Sequence, residues 1–334
     1  MVRITQVLSR FARGEVAEVV VADPQRRTPP CPVAGECGGC DFQHLPPEAS
    51  RELKRQVVAD LLQHHAGIEF TGVVEAVDPT GFGWRTRMRY DRAADGRLGL
   101  HAHRSERVVP LPPEGCRIAV SGIAHPEVPP GEGDVLAVAA ASGTEIGRRP
   151  ELPATVTERV SGRRFEVATD GFWQSHSRAP QVLTAAVLDA LVPAAGERAF
   201  DLYCGVGLFA AALVDAGCEV WGVEGDPGAL RLARRNVPEG HFFVGDVAAT
   251  LRRLPDQTDL VVLDPPRTGA GRRAMETILA RSPRAVAYVA CDPAALARDL
   301  ATAQGLGYTV DQVRAFDLFG TTHHVECLAV LRPV

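Results

Sequence analysis

Residues 201–209, DLYCGVGLF, decide the fold class of this 334-residue chain. An apolar run ends in Asp201, and the turn Gly205-Val206-Gly207 follows shortly after it. In open α/β sheets a ligand binds beyond the carboxyl ends of the strands, where glycine lets it approach the backbone. The stretch therefore predicts the first strand-to-helix turn of a ligand-binding sheet, with an ordinary tight turn as the simpler alternative.

Strands and helices alternate throughout the C-terminal half of the chain. Residues 180–192 form a predicted apolar helix, and short apolar strands then alternate with helices as far as the C-terminus. Alternation at this spacing is typical of a doubly wound, mostly parallel sheet. We therefore predict an α/β, Rossmann-like catalytic domain over residues 169–334.

Acidic residues end the next two strands of this predicted sheet. Glu224 ends VWGVEGD and is suited to ribose hydroxyls, whereas Asp246 ends FFVGD and is suited to an adenine amino group. Ala210 stands where a GxGxxG fingerprint requires glycine, which disfavours a dinucleotide. The pattern predicts an adenosine-bearing ligand without a pyrophosphate, and S-adenosylmethionine fits this description.

Two later strands bring reactive groups to the same edge of the sheet. The prolines of DPPRTG, residues 264–269, predict a rigid loop beside the pocket. Methyltransferases of exocyclic amino groups usually have an aromatic residue where Arg267 stands, which disfavours that activity. Cys291 precedes a predicted helix, whose N-terminus favours a thiol that ionises below its free pKa of about 8.5. A buried structural cysteine is the alternative interpretation of Cys291.

The C-terminal segment DLFGTTHHVE contains His323, His324 and Glu326. A metal site is one interpretation, but no third ligand stands at a fixed spacing, so a general base is favoured. A cysteine and a base beside a methyl donor suit methylation of uracil at carbon 5. Cys291 would add to carbon 6, carbon 5 would take the methyl group, and the base would remove the hydrogen of carbon 5.

These blocks resemble the RNA uracil-5-methyltransferases of the 23S rRNA and tRNA type. DLYCGVGLF, LDPPRTG, YVACDPAALARDL and DLFGTTHHVE follow the order and spacing of that family, over essentially the whole chain. The resemblance implies a class I S-adenosylmethionine-dependent fold, with Cys291 as the nucleophile and Glu326 as the base. With the glycines of the first turn, it places at the cofactor Gln174, Tyr203, Gly205, Gly207, Glu224, Asp246 and Asp264. At the RNA substrate it places Phe172 and Arg267.

Four positions depart from the usual pattern of that family. Alanine and aspartate replace serine and asparagine on either side of Cys291, at Ala290 and Asp292. Gly320 stands where the family has a proline, and Leu208 where it has an asparagine. We expect these changes to affect the positioning of the substrate more than the reaction itself.

The stretch CPVAGECGGC, residues 31–40, contains Cys31, Cys37 and Cys40. This spacing differs from the paired Cys-x₂-Cys of zinc sites, and no βαβ unit follows to make a thioredoxin-like redox pair. A cubane iron–sulfur cluster takes four thiolates. The resemblance implies Cys116 as the fourth ligand of a [4Fe-4S] cluster. The three cysteines with no role in this resemblance are expected to be structural: Cys204, Cys218 and Cys327.

The N-terminal half has a different character. We predict a β-rich central domain over residues 31–168, which carries the cysteine motif, and a helix over 48–65 that packs on the catalytic domain. Residues 1–30 resemble only the last strands of an RNA-binding TRAM barrel, so most of that domain is expected to be missing. The apolar stripe predicted for the helix contains Leu53, Val57, Leu61 and Leu62.

The charge pattern leaves a nucleic-acid surface open. The net charge of −5 disfavours a uniformly basic surface, but a strand would project Arg85, Arg87 and Arg89 from one face. That face is either solvated or contacts phosphates. No apolar run approaches the ~20 residues that span a bilayer, and the start has no apolar signal region, so a cytoplasmic monomer without membrane contact is expected.

The expected function is therefore formation of 5-methyluridine in structured RNA, with 23S rRNA as the first choice. The target base would be flipped out of its stack to expose carbon 5 and carbon 6. A tRNA T-loop methyltransferase, an amino-group methyltransferase and a catalytically silent iron–sulfur scaffold that binds RNA remain as alternatives.

Overall fold

An eight-stranded sheet organises the computed structural model, which describes residues 1–9, 11–129, 131 and 133–334. The first five strands in spatial order are mutually parallel, which confirms the predicted α/β fold. The strands, in spatial order, are β13 (His241–Val244), β12 (Glu219–Glu224), β11 (Arg198–Leu202), β14 (Leu260–Leu263), β15 (Ala285–Ala290), β17 (Glu326–Pro333), β16 (Tyr308–Asp317) and β3 (Val74–Ala76). The strand β17 runs antiparallel to both of its neighbours, and β3 is parallel to β16.

Helices cover both faces of this sheet. Every residue of β14 and β15 is buried, as expected for central strands that are covered on both sides. One core includes Leu183 and Phe209, and the core on the opposite face includes Met275 and Leu296. The helices that form these layers are α3 (Ala179–Leu191), α4 (Leu208–Asp215), α5 (Pro227–Asn236), α6 (Val247–Thr250), α7 (Arg272–Leu279) and α8 (Pro293–Gly305).

The helix α1 (Pro47–Ala66) also packs on the large sheet, against α8. Its predicted apolar stripe is right for Leu62, which is buried, and wrong for Leu53 and Val57, which are 40% and 51% exposed. The buried face repeats every four residues and contains Ser50, Lys54, Val58 and Leu62. Since this face includes a charged lysine, apolar periodicity alone does not identify it.

A second, antiparallel sheet forms the central region. Its five strands, in spatial order, are β6 (Val108–Pro110), β5 (Leu98–His101), β4 (Arg87–Arg92), β7 (Val135–Ala140) and β8 (Gly143–Gly147). Beside it lie the short helix α2 (Ser121–Ala124) and a core that includes Trp84, Tyr90 and Ile118. This region supplies one wall of the cleft described below.

Two hairpins complete the fold. The hairpin of β9 (Thr155–Val160) and β10 (Arg163–Ala168) buries Phe165 and Val167 in the catalytic core. The hairpin of β1 (Val2–Val7) and β2 (Ala12–Val16) is exposed along both strands. None of the helices in the described part of the chain has the length and apolar character needed to cross a membrane.

The three alternating arginines do not share one function. Arg87 is an internal brace, since its side chain lies 3.3 Å from Glu158 and donates to the carbonyl of Thr169. Arg89 pairs with Asp134 on the surface. Arg85 lines the cleft described below and donates from Nε to the carbonyl of Arg87. The prediction of one solvated or phosphate-binding face is therefore wrong for Arg87.

Candidate active site

A cleft of about 1630 Å³ opens at the carboxyl ends of the parallel strands. The turns after β11, β12, β13, β14 and β15 all contribute to it, as the topology of an open sheet requires. It brings together ten of the eleven residues predicted for catalysis, cofactor binding and substrate binding. Those that line it are Phe172, Gln174, Tyr203, Gly205, Glu224, Asp246, Asp264, Arg267, Cys291 and Glu326. Gly207 lies outside this lining and precedes α4 with a φ of 90°.

The turn after β11 is held in place by Glu224. The Gly205 N–H donates to Oε2 of this acid at 2.9 Å, and the Asp226 N–H donates to Oε1 at 2.8 Å. Tyr203 has a φ of 63°, an uncommon value for a residue with a side chain. Asp246 caps α6 by accepting a hydrogen bond from the Ala249 N–H. The backbone thus fixes the acids that were predicted to face the adenosine.

The floor of the cleft is acidic and desolvated. Gln174 Nε2 donates to Asp264 Oδ2 at 3.1 Å, and burial raises the pKa of Asp264 to about 7 against this hydrogen bond. Beneath the lining, burial also raises the pKa of Asp201 to about 7; one of its oxygens accepts from the Ala210 N–H, and the other has no hydrogen-bond partner among the described residues. A cationic ligand would stabilise the ionised carboxylates, so this floor favours positive charge.

The Cys291 thiol lies at the reacting end of the cleft, between β15 and α8. Burial raises its pKa to about 11, with a further contribution from the charge of Glu326, while Arg267 acts in the opposite direction. The prediction of a lowered pKa for this thiol is therefore wrong. Desolvation and a neighbouring carboxylate outweigh the favourable helix N-terminus.

Glu326 begins β17, and its side chain is buried. Burial and the charge of Asp264 raise its pKa well above the ordinary value, and Arg267 again opposes the shift. Arg267 is thus the cation that acts electrostatically on both Cys291 and Glu326. Its Nη2 lies 3.4 Å from Nε2 of His324.

Aromatic side chains form the wall of the cleft opposite these groups, and the sequence did not predict that Trp84 and Phe319 belong to it. Trp84 meets Phe319 edge to face at 6.1 Å, and Phe319 meets His324 in the same way at 5.9 Å. Burial lowers the pKa of His324 to about 4, so its ring is neutral near pH 7. His324 was predicted as a base or metal ligand. Trp84 lies 235 positions before Phe319, and no local pattern indicates their contact.

The four N-terminal cysteines line a separate cavity of about 20 Å³. Burial raises the pKa values of Cys37, Cys40 and Cys116, that of Cys40 to about 11. Among the described lining residues there is no carboxylate or imidazole, so the available donors suited to iron are thiols. Within the described ranges, however, no three or more His, Cys, Asp or Glu side chains are arranged to hold a metal ion. The cysteines converge around a cavity without forming a complete ligand set.

Known proteins resemble this chain over nearly its whole length. Residues 252–333 match the family model of the tRNA (uracil-5-)-methyltransferases, and residues 178–288 match that of the methyltransferase small domain. A Streptomyces avermitilis protein described as an uncharacterized RNA methyltransferase is 40% identical over 381 residues, which cover 97% of this chain and 88% of that protein. The chain belongs to the RNA uracil-5-methyltransferase family. It is thus an S-adenosylmethionine-dependent, RNA-methylating enzyme.

Two further similarities concern proteins with named substrates. The 23S rRNA (uracil(1939)-C(5))-methyltransferase RlmD of Shewanella sp. MR-4 is 28% identical to this methyltransferase, covering 98% of this chain and 87% of RlmD. The solved structure of Pyrococcus abyssi tRNA (uracil-54, C5)-methyltransferase with S-adenosyl-L-homocysteine aligns with a TM-score of 0.73. That alignment covers 98% of this chain and 91% of the other at 22% identity, so it concerns the fold.

Proposed function

We propose that this methyltransferase methylates carbon 5 of a uridine in structured RNA through a covalent Cys291 adduct. The observation that carries the proposal is the convergence of Cys291, Glu326 and Arg267 in one desolvated cleft. A reaction at an exocyclic amino group would need neither the thiol nor the buried carboxylate. The similarity to RlmD supports 23S rRNA as the substrate, while the match of residues 252–333 to the tRNA family model keeps a T-loop uridine as the second candidate.

The strand-end residues suit S-adenosylmethionine, which supplies an electrophilic methyl group on a positively charged sulfur. Glu224 and Asp246 are fixed by backbone hydrogen bonds at the positions suited to the ribose and the adenine. Tyr203 and Gly205 line the same part of the cleft. Gln174 orients the Asp264 carboxylate, whose pKa would fall beside the positively charged sulfur of the bound cofactor.

The reaction begins when the Cys291 thiolate forms a bond to carbon 6 of the uracil, whose electrons move toward carbon 5 and the carbonyl oxygen. Carbon 5 then forms a bond to the methyl carbon of S-adenosylmethionine, while the bond from that methyl group to sulfur breaks and S-adenosylhomocysteine leaves. Glu326 removes the proton from carbon 5, the ring double bond returns, and the bond between sulfur and carbon 6 breaks to release Cys291. This route replaces one difficult step by several easier ones.

Protonation decides which groups can act. A thiol with a pKa of about 11 is neutral at pH 7, so addition to carbon 6 proceeds through the minor ionised fraction, which Arg267 increases by opposing the effect of burial. The raised pKa of Glu326 makes this carboxylate a stronger base than an exposed glutamate. Phe172 lines the cleft and is exposed, which supports a contact with the flipped nucleotide.

The four-thiol cavity is proposed to hold a [4Fe-4S] cluster. The chemistry of the donors fits, because Cys31, Cys37, Cys40 and Cys116 line one cavity whose described lining residues offer sulfur without competing carboxylates or imidazoles. The described side chains are not arranged to hold a metal ion, so a cluster would have to draw the four thiols together. A cluster would join residues 31–40 to the central sheet near Cys116. No step of methyl transfer requires it.

The proposal is tested with RNA that contains 5-fluorouridine, because fluorine at carbon 5 cannot leave as a cation. Incubation with S-adenosylmethionine should give a protein–RNA adduct that survives denaturation and maps to Cys291. Hairpins from 23S rRNA and from the tRNA T-loop serve as alternative substrates. The adduct should be absent from Cys291→Ala and present in the control Cys218→Ala, whose cysteine lies outside the cleft.

Three results would contradict the proposal. Adduct formation or uridine methylation that survives Cys291→Ala rules out the covalent route. Methyl groups found on an exocyclic amino nitrogen indicate the amino-group activity. A folded wild-type protein that binds both RNAs without modifying either is a silent scaffold.

A further inference from the structure

The loop of residues 318–325, here called the base loop, joins β16 to β17 and delivers Glu326 to the cleft. Phe319 and His324 of this loop line the cleft themselves. The contacts that hold the base loop come from a distant part of the chain, residues 38–54. This segment begins with the last three residues of the cysteine motif and continues into α1.

Asp41 forms the first connection. Its Oδ2 accepts a hydrogen bond from the His323 N–H at 3.0 Å and lies 2.7 Å from His323 Nδ1. The backbone N–H groups of Asp41 and Phe42 both donate to the Thr321 carbonyl at 2.8 Å. Four contacts thus join Asp41 and Phe42, which directly follow the cysteine motif, to two residues of the base loop.

Lys54 of α1 forms the second connection. Its Nζ lies 2.6 Å from Asp317 Oδ1 and 3.1 Å from the Phe319 carbonyl. The two charged side chains are only 1% and 2% exposed, so water does not weaken the pair. Asp317 is the last residue of β16, and the base loop therefore starts from a fixed point.

The base loop has little freedom between these connections. The Thr321 hydroxyl donates to the Cys40 sulfur at 3.3 Å, and Thr321 has a φ of 64°. A Cβ at Gly320 would lie 2.5 Å from the Gly81 Cα, so this residue packs directly against the backbone of the central region. A shift of residues 38–54 is therefore transmitted to the loop that carries the base.

We propose that Asp41 and Lys54 are positioning residues for Glu326, so that the segment carrying the cysteines sets the geometry of proton removal from carbon 5. This inference rests on the proposed function. Neither residue lines the cleft; Asp41 acts through Thr321 and His323, and Lys54 through Asp317 and Phe319.

The order of the chemical steps gives this role a distinctive signature. Proton removal by Glu326 follows thiolate addition and methyl transfer, so a displaced base slows the release of Cys291 without preventing its addition. The methylated adduct then accumulates on ordinary uridine RNA. A general loss of structure has the opposite effect, because a disordered cleft forms less adduct.

The test compares two matched variants. Asp41→Ala removes the Asp41–His323 pair, whose side chains are 28% and 59% exposed. The control, Asp91→Ala, removes a similar pair with His101, at 2.8 Å and with side chains 32% and 45% exposed, on β4 and β5 outside the cleft. Glu326→Gln is the positive control for adduct accumulation. Thermal melting of all three variants shows whether each one is folded.

For Asp41→Ala we expect kcat to fall by about 10- to 100-fold, since small displacements at a reacting centre have effects of this size. KM for RNA should stay near the wild-type value, and a denaturation-resistant adduct should appear on ordinary uridine RNA, as with Glu326→Gln. Asp91→Ala should behave as the wild type does. Lys54→Met/Asp317→Leu, which removes both buried charges together, should repeat the Asp41→Ala result.

Wild-type turnover in Asp41→Ala, or lost turnover without adduct, overturns the positioning role. If the wild type forms the 5-fluorouridine adduct in the same experiment, either result overturns the positioning role alone, and the proposed function stands. If the wild type forms no such adduct, the proposed function fails, and the positioning role fails with it.

Discussion

The two groups of cysteines in this methyltransferase lie in different chemical surroundings although burial acts on both. It raises the pKa to about 11 for Cys291 and for Cys40 alike. Cys291 opens into a cleft of about 1630 Å³ and faces Glu326 and Arg267, whereas Cys40 faces other thiols across a cavity of about 20 Å³.

This difference shows that burial alone does not define a nucleophile. Beside Cys291 a cation favours the thiolate and a carboxylate is available as a base, which together permit addition and release. The cavity beside Cys40 holds three further thiols, which suit a soft metal centre, and its described lining residues include no carboxylate or imidazole that could act as a base. The two regions nevertheless touch, through Thr321 and Cys40.

The largest expected effect separates the two regions by their iron content. If the proposed [4Fe-4S] cluster is bound, Cys40→Ser should remove most of the iron and sulfide from protein purified without oxygen, because such a cluster needs all four thiolates. Cys291→Ser should then keep about four iron atoms per chain while losing methyl transfer. Iron and sulfide analysis checks both variants, and equal iron in the two would erase the distinction.

A smaller effect is expected for the reactivity of Cys291. With a pKa near 11, its thiolate fraction rises about tenfold per pH unit between pH 7 and pH 10, and alkylation by iodoacetamide should follow it. Arg267→Gln removes the cation that lowers this pKa, so alkylation should be several-fold slower at each pH. Mass spectrometry of the Cys291 peptide gives the rate.

The matched control for this measurement is Arg272→Gln on α7, whose arginine pairs with Glu276 on the surface. It should leave the pH profile of alkylation unchanged. An unchanged profile in Arg267→Gln as well would show that this arginine does not act on the thiol.

The smallest effect is expected at the junction of the two regions. Gly320→Ala places a Cβ against the Gly81 backbone and should lower the free energy of unfolding by about 1–3 kcal/mol. Gly305→Ala is the control, because a Cβ there meets no atom of the described residues within 4 Å. Urea denaturation compares the two variants. Equal stability would mean that the junction can relax, and that the two regions are more loosely joined than the contacts indicate.

The lining of the cleft was predictable where function follows strand ends. Glu224, Asp246 and Asp264 each close a predicted strand, and the topology of an open sheet brings such residues to one edge. Gln174 has no such pattern and was found through the family resemblance alone. Trp84 and Phe319 were missed because their contact depends on how two separate sheets meet.

Electrostatic surroundings were less predictable than position. The helix after Cys291 is visible in the sequence and suggests a lowered pKa, but the burial of the thiol beside Glu326 is a tertiary property. In α1, likewise, the apolar pattern did not predict that Lys54 would be buried. Its partner Asp317 lies 263 positions away, and without that partner a lysine is assigned to solvent.

Because β3 pairs with β16, part of the large sheet can form only late in synthesis of the chain. Glu75 in β3 meets Arg314 in β16 in a doubly hydrogen-bonded ion pair across 239 positions of sequence. At about 5–20 residues per second, a ribosome needs about 10–50 seconds to make the intervening chain. During that interval the face of α1 that contains Val58 and Leu62 has no finished sheet to pack on. Nascent chains of this methyltransferase should therefore depend on chaperones until the last two strands emerge.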